Sequence, residues 1–543
     1  MSVTQDKNDN HGLSEVVPMA LRYEAGRKSS VITQRSTIKY YPTTGTQIKS
    51  TDAKTSIFRL SASDFLDPRT TCLQFRLSVG SAQIRMEDLY TSLIQSITCV
   101  IGGVETSHVD NFGEAFKMVS YATCPESVYK HQWNATMGAW KYVPRARFSA
   151  RQNQASHALD LAGDGQTGVQ LGWVMDDNSY PMLDRENHLY TDWNATGKRG
   201  VTVSIPLAEI LGEFRMKQFL PLLFLGSIDI TIQWANIDKA CIFGQQFTVD
   251  ADKDITVANT AIAAEDQYYQ IDDLCVHTDL VTLDPTYTKL LQGLVSSSPQ
   301  GLVMPYESYT TFNRSFRNSG GMDSIYLSKG VSYLKRMLWA IRPMQHVANR
   351  YVDKSNFKFA DAHIAHQTEV GGRLFPENRV TDLATCYVEL QKACDQQGSV
   401  DAGGIINEAN YTGRYPGGAT YQSFYIPEDS PAAPVTQPHR ELPQCFIMGQ
   451  NFERALGSGG LLSGLNLKVS GYSILLNLEL KQSAKTGTAF EGNGTRSVAG
   501  DAGKFDPYRE PNAYFYNQQL QLLAVMHMDK SLVLRADAVS VSE

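Results

Sequence analysis

The stretch Asp361-Ala-His363-Ile-Ala-His366-Gln-Thr-Glu369 is where imidazoles and carboxylates crowd together in this chain. Histidines three residues apart can share one helical face, and with the two acids they have the donor types of a divalent-metal site. The glutamate is not placed as in His-Glu-x-x-His, and apolar neighbours are few, so the segment reads as a solvated loop. Other chemistry fails on spacing. A phosphate loop needs Gly-x-x-x-x-Gly-Lys-Ser/Thr, and the nearest segment, Gly500-Asp-Ala-Gly503-Lys504-Phe505, has the wrong spacing and no hydroxyl. Gly457, Gly459, Gly460 and Gly464 resemble a dinucleotide loop without the βαβ unit it requires, and read as a flexible turn. A Gly-x-Ser-x-Gly elbow does not occur. The acid pairs Asp176-Asp177 and Asp272-Asp273 are adjacent in sequence, which does not establish two carboxyls facing each other across a glycosidase cleft. Trp133, Trp140, Trp173 and Trp193 could stack on sugars, though packing within large loops is the commoner use. The expectation is a protein that is not an enzyme and carries no cofactor or catalytic metal.

The elements that would position these groups follow from composition and period. Of 543 residues 42% are hydrophobic and only 19% charged, a bias away from exposed helices and towards strands and loops. Forty-nine Lys and Arg against 56 Asp and Glu give a net charge of -7, so only a local basic patch could meet nucleic acid. The longest apolar run, Phe219 to Gly226, is far short of the roughly 20 residues of a spanning helix. A polar, mixed-charge start and eight scattered cysteines without a Cys-x-x-Cys pair suit synthesis in the cytosol and reduced thiols.

Residues 1–50 read as an arm, with Arg22, Arg27, Lys28, Arg35, Lys39 and Lys49 against Glu24. Alternation then sets in. Leu73, Phe75, Leu77 and Val79 form one face of a strand, and Ile97, Cys99 and Ile101 lead to a hairpin at Gly102-Gly103. Phe112, Ala115, Phe116 and Val119 predict a short helix behind an Asn111 cap. Val201, Val203 and Ile205 precede Pro206, and Ile228, Ile230, Ile232 and Trp234 alternate without error. A second unit opens at Tyr269 and Ile271, a helix starts at Asp284-Pro285 and runs through Leu290, Leu291 and Leu294, and short strands close the chain. The segments 122–199 and 345–460 lack a clean period and read as long loops. The fold class is all-β: a first jelly roll over 51–240, a linker over 241–266, and a second jelly roll over 267–543, with short helices and long loop insertions.

Within VSIPLAEILGEFRMKQFLPLLFLGSIDITIQW, Ile205-Pro206-Leu207, Leu220-Pro221-Leu222 and the strand Ile228 to Ile232 resemble the end of the first jelly roll in double jelly-roll major capsid proteins of eukaryotic double-stranded DNA viruses. The intervening AEILGEF is closest to the polinton-like virus and virophage type. The resemblance implies a structural role in the virion capsid: homotrimers forming pseudo-hexagonal capsomers that tile an icosahedral shell by self-assembly. It implies as partners neighbouring capsomers, penton and minor capsid proteins, and, through the arm with Arg27, Lys28 and Arg35 as inner-face contacts, an internal membrane or packaged DNA. It also implies that 122–199 and 345–460 form an outward tower. The rival reading is a carbohydrate-binding or carbohydrate-active β-sandwich.

Overall fold

A computed structural model describes residues 31–138, 190–192, 199–249, 255–259, 262–396, 405–406, 411, 446–453, 463–467, 473–482, 519–535 and 539–542, with short gaps inside the longer ranges. Two sets of eight long strands follow one another. The first comprises β1 (Ile32–Tyr40), β2 (Thr55–Leu60), β3 (Phe65–Val79), β4 (Ile94–Ile101), β5 (Val104–Asp110), β6 (Arg199–Pro206), β7 (Ile228–Trp234) and β8 (Tyr269–Leu283). Helix α1 (Phe112–Thr123) follows β5, and α2 (Pro285–Ser297) follows β8. The second set comprises β9 (Leu302–Arg317), β10 (Met322–Leu327), β11 (Tyr333–Pro343), β12 (Ala362–Val370), β13 (Arg373–Val380), β14 (Met448–Asn451), β15 (Ile474–Gln482) and β16 (Gln519–Leu534). Helix α3 (Leu383–Ala393) follows β13, as α1 follows β5.

The pairing repeats. In the first set the antiparallel sheets run β1-β8-β3-β6 and β2-β7-β4-β5, and in the second β9-β16-β11-β14 and β10-β15-β12-β13. Numbered one to eight within each set, both give 1-8-3-6 facing 2-7-4-5, the winding of a jelly roll. Side chains close each sandwich: Phe75 on β3 meets Trp234 on β7 edge to face at 5.8 Å, and Trp339 on β11 meets His366 on β12 at 5.0 Å. The Trp234 indole donates to Ser56 Oγ at 2.8 Å, so its polar edge is satisfied inside the core.

Successive strands run in opposite directions, so connections alternate between the two ends of each roll. One end carries tight links such as 61–64, Gly102-Gly103 (φ 57° and 82°) and Gly371-Gly372 (φ 57° and 79°), where only glycine adopts the left-handed turn without strain. The other end carries the long links 111–198, 235–268, 381–447 and 483–518. The start of β1, the end of β8 and all of α2 lie at the tight-turn end.

Several expectations change here. Within the arm, Ile32–Tyr40 is a strand in register with β8, from Ile32 opposite Leu283 to Tyr40 opposite Val276. Tyr269–Leu283 does not open the second unit: it pairs with β3 and completes the first roll, because alternation reports a buried face and not the neighbour on either edge. The 241–266 linker contains Cys241–Phe243, paired with Ile84–Met86, and a hairpin of Gln245–Val249 with Ile255–Asn259. The span 345–460 contains β12, β13, α3 and β14. Within 122–199 a π-helical turn, Val128–Trp133, and a turn Asn134–Met137 follow α1, whereas 139–189 and 193–198 lie outside the described residues. Asn111 precedes α1 in the left-handed region at φ 46° with no side-chain cap; its Oδ1 accepts from Gln95 Nε2 at 2.9 Å.

Candidate assembly site: the joint between the two rolls

The proline motif frames a detour in β6. Ile205 sits opposite Leu73 and Pro206 opposite Cys72 on β3. The chain then leaves β3 through the short helical turns Leu207–Ile210 and Gly212–Arg215 and rejoins the same edge where Leu220 and Pro221 pair with Leu66 and Phe65. Ile205, Leu207, Leu220 and Leu222 are buried, and the Arg215 guanidinium closes the detour by donating to the carbonyls of Ala208 at 2.8 Å and Glu209 at 3.0 Å. These residues are core, and what they position is the second turn, which is seated on β9 of the second roll. A Cβ on Gly212 would lie 1.7 Å from the Glu307 carbonyl oxygen, so the close approach requires glycine.

Further polar contacts lock the rolls. Tyr306 Oη donates to Thr106 O at 3.1 Å and Thr311 Oγ1 to Asp110 O at 2.6 Å, so β9 satisfies carbonyls of β5. Lys530 Nζ on β16 donates to Thr106 O at 3.3 Å. Phe112 stacks on Tyr309 at 6.4 Å. Arg342 on β11 is wholly buried and donates to Glu114 of α1 at 2.7 Å, to Gln521 Oε1 at 2.7 Å and to Lys354 O at 3.1 Å. Burial alone would raise the Glu114 carboxyl, and the Arg342 guanidinium overrides it and holds it below its usual range.

Beneath the Gly212 contact, Glu307 Oε1 accepts from Arg336 at 2.8 Å and from His527 Nδ1 at 2.9 Å, with Lys335 Nζ 3.4 Å from Oε2 and 3.5 Å from Glu453. Burial opposes ionisation of Glu307, but Arg336, His527 and Lys335 together hold it well below the usual carboxylate range. Burial and Arg336 push His527 down to about 4. A carboxylate on Nδ1 of a histidine is the orienting half of a nucleophile-activating triad, yet His527 Nε2 has no hydrogen-bond partner among the described residues. The cluster joins β9, β11 and β16.

The remaining sequence candidates are dispersed. His363 and His366 lie on strand β12, not in a loop. His366 is fully buried, and burial with Arg379 nearby pushes it down to about 4. Among the described residues no group of three or more His, Cys, Asp or Glu could hold a metal ion. Asp272 accepts from Gln270, and Asp273 sits at a bulge of β8 with φ 53°. Asp176 and Asp177 lie outside the described residues, as do Trp140, Trp173 and Trp193. Trp133 is buried and stacks on Phe116 at 5.8 Å, so it presents no sugar-binding face. Arg27 and Lys28 are outside the described residues. Arg35 is on β1 and its charge is compensated within the sheet, by Asp279 at 2.8 Å and Asp67 at 3.0 Å. The described cysteines are free thiols, and burial pushes Cys124, Cys386 and Cys394 up to about 12. No sequence signal marked the joint: Gly212, Glu307, Arg336 and His527 stand far apart in the chain and have no common motif.

Two jelly rolls wound alike and locked side by side define the double jelly-roll class, the fold of viral major capsid proteins. A chain of the Sputnik virophage structure has a TM-score of 0.51 at 10% identity, with 98% of this chain and 93% of that one covered. The Faustovirus major capsid protein has a TM-score of 0.50 at 9% identity, with 95% and 92% covered. No protein-family model and no curated protein sequence matches the chain.

Proposed function

We propose that the protein is a major capsid protein whose copies associate as homotrimers, six jelly rolls forming a pseudo-hexagonal capsomer that tiles an icosahedral virion. The observation that carries this reading is the doubled 1-8-3-6/2-7-4-5 winding locked by the Gly212–Glu307 joint, over nearly the whole length of the Sputnik and Faustovirus chains. A joint of this kind turns two sandwiches into one stiff block, which a shell subunit needs and a lone binding module does not. The four longest links, 111–198, 235–268, 381–447 and 483–518, share one end of the two rolls, which supports an outward tower made by 111–198 and 381–447. The tight-turn end then faces inward, where residues 1–30, with Arg27 and Lys28, reach an internal membrane, packaged DNA or minor capsid proteins. Neighbouring capsomers and penton proteins are the lateral partners.

Negative-stain imaging of the purified protein tests the proposal. Compact particles with a six-lobed outline are expected; two-lobed single subunits at micromolar concentration would overturn it.

A further inference from the structure

Helix α2 joins the two rolls and presents an apolar stripe outward. It is well built: Asp284 caps it by accepting from Thr286 N at 2.8 Å, with Pro285 in the first turn. Val295 is its buried residue, whereas Tyr287, Leu290 and Leu294, at i, i+3 and i+7, are 40%, 57% and 54% exposed. These three occupy one face, and Val31 and Ile32, next to the helix start, are also exposed. A contiguous apolar stripe on a capped helix marks a contact surface.

The path of the chain identifies the occupant. Strand β1 is antiparallel to β8, with Ile32 opposite Leu283, and Asp284 N donates to Val31 O at 2.8 Å. Val31, the first described residue, therefore sits at the place where α2 begins. Within 1–30 the one run of consecutive apolar residues is Val16-Val17-Pro18-Met19-Ala20-Leu21. Nine residues lie between Leu21 and Val31, and these ten Cα steps span at most about 35 Å, while α2 is about 20 Å long, so the run reaches the whole stripe. Pro18 favours an extended conformation at Val17, which suits a segment laid along a helix. A lipid surface fits less well, because apart from Leu291 the rest of α2 is Thr, Gln, Gly and Ser with Lys289 as its one charge, not the basic face of a membrane-lying helix. We propose that Val16–Leu21 of the same chain lies along the Tyr287, Leu290 and Leu294 stripe of α2.

The test uses the full chain with p-benzoylphenylalanine in place of Leu290, with isotopically light and heavy chains unfolded, mixed and refolded together so that any oligomer contains both, and then irradiated. The expected product joins position 290 to the peptide containing Val16–Leu21, with light linked only to light and heavy only to heavy. Mixed-isotope products, products with added lipid vesicles, or no product at this peptide would overturn the proposal. In parallel, Val17→Asp with Met19→Asp is expected to speed amide exchange in α2 by about tenfold while β3 and β16 are unchanged. Unchanged exchange in α2 would also overturn it.

Discussion

Gly212 of the first roll approaches the backbone of Glu307 in the second so closely that a methyl group there would stand 1.7 Å from the Glu307 carbonyl oxygen. The obstacle is backbone in the middle of a long strand, which cannot swing aside as a side chain does. Gly212→Ala is expected to destabilise the protein by about 2 kcal/mol or more. Gly293→Ala, in α2 with nothing within 4 Å, is the control and is expected to be neutral or stabilising by up to about 1 kcal/mol. Chemical denaturation of both variants checks the pair; equal effects would contradict a tight joint.

Arg342 and Glu114 give the second prediction. Arg342→Met leaves Glu114 without its counter-charge and is expected to cost about 3 kcal/mol, and combining it with Glu114→Gln is expected to recover part of that loss. Additive losses in the double variant would mean that the two do not interact.

How legible this was depends on the element. β7 announces itself because Ile228, Ile230, Ile232 and Trp234 face a core and Asp229, Thr231 and Gln233 do not. β16 has no such rhythm, since from Leu520 to Leu534 it is buried on both faces, by its own roll and by the first. β1 is mostly exposed and is held by its ladder to β8 and the Arg35 ion pairs, so its sequence looks like a tail. β12 hides as a loop because its buried face includes His366 and Thr368. The proline motif was readable as local sequence, but its consequence, the seating of Gly212 on Glu307, is a contact between distant segments that no period encodes.

His366 sets a pH dependence. Its folded value of about 4 is below the ordinary 6.5, so between these the unfolded chain binds a proton that the folded chain refuses. The sign is loss of stability as pH falls from about 6.5 to 4, by up to about 1.4 kcal/mol per pH unit from this group. His366→Leu is expected to flatten that part of the stability profile; the same slope in variant and parent would contradict the assignment.

The motif residues are core rather than a contact site. Leu220→Ala and Ile205→Ala are each expected to cost about 2–5 kcal/mol by opening a cavity, whereas Pro221→Ala costs under about 1 kcal/mol. Thermal unfolding of the three variants checks the order.

If copies of this chain associate as proposed, native mass measurement of the purified protein at micromolar concentration gives a single species of three times the 60.2 kDa chain mass, persisting on dilution; a species at 60.2 kDa alone would contradict the trimer.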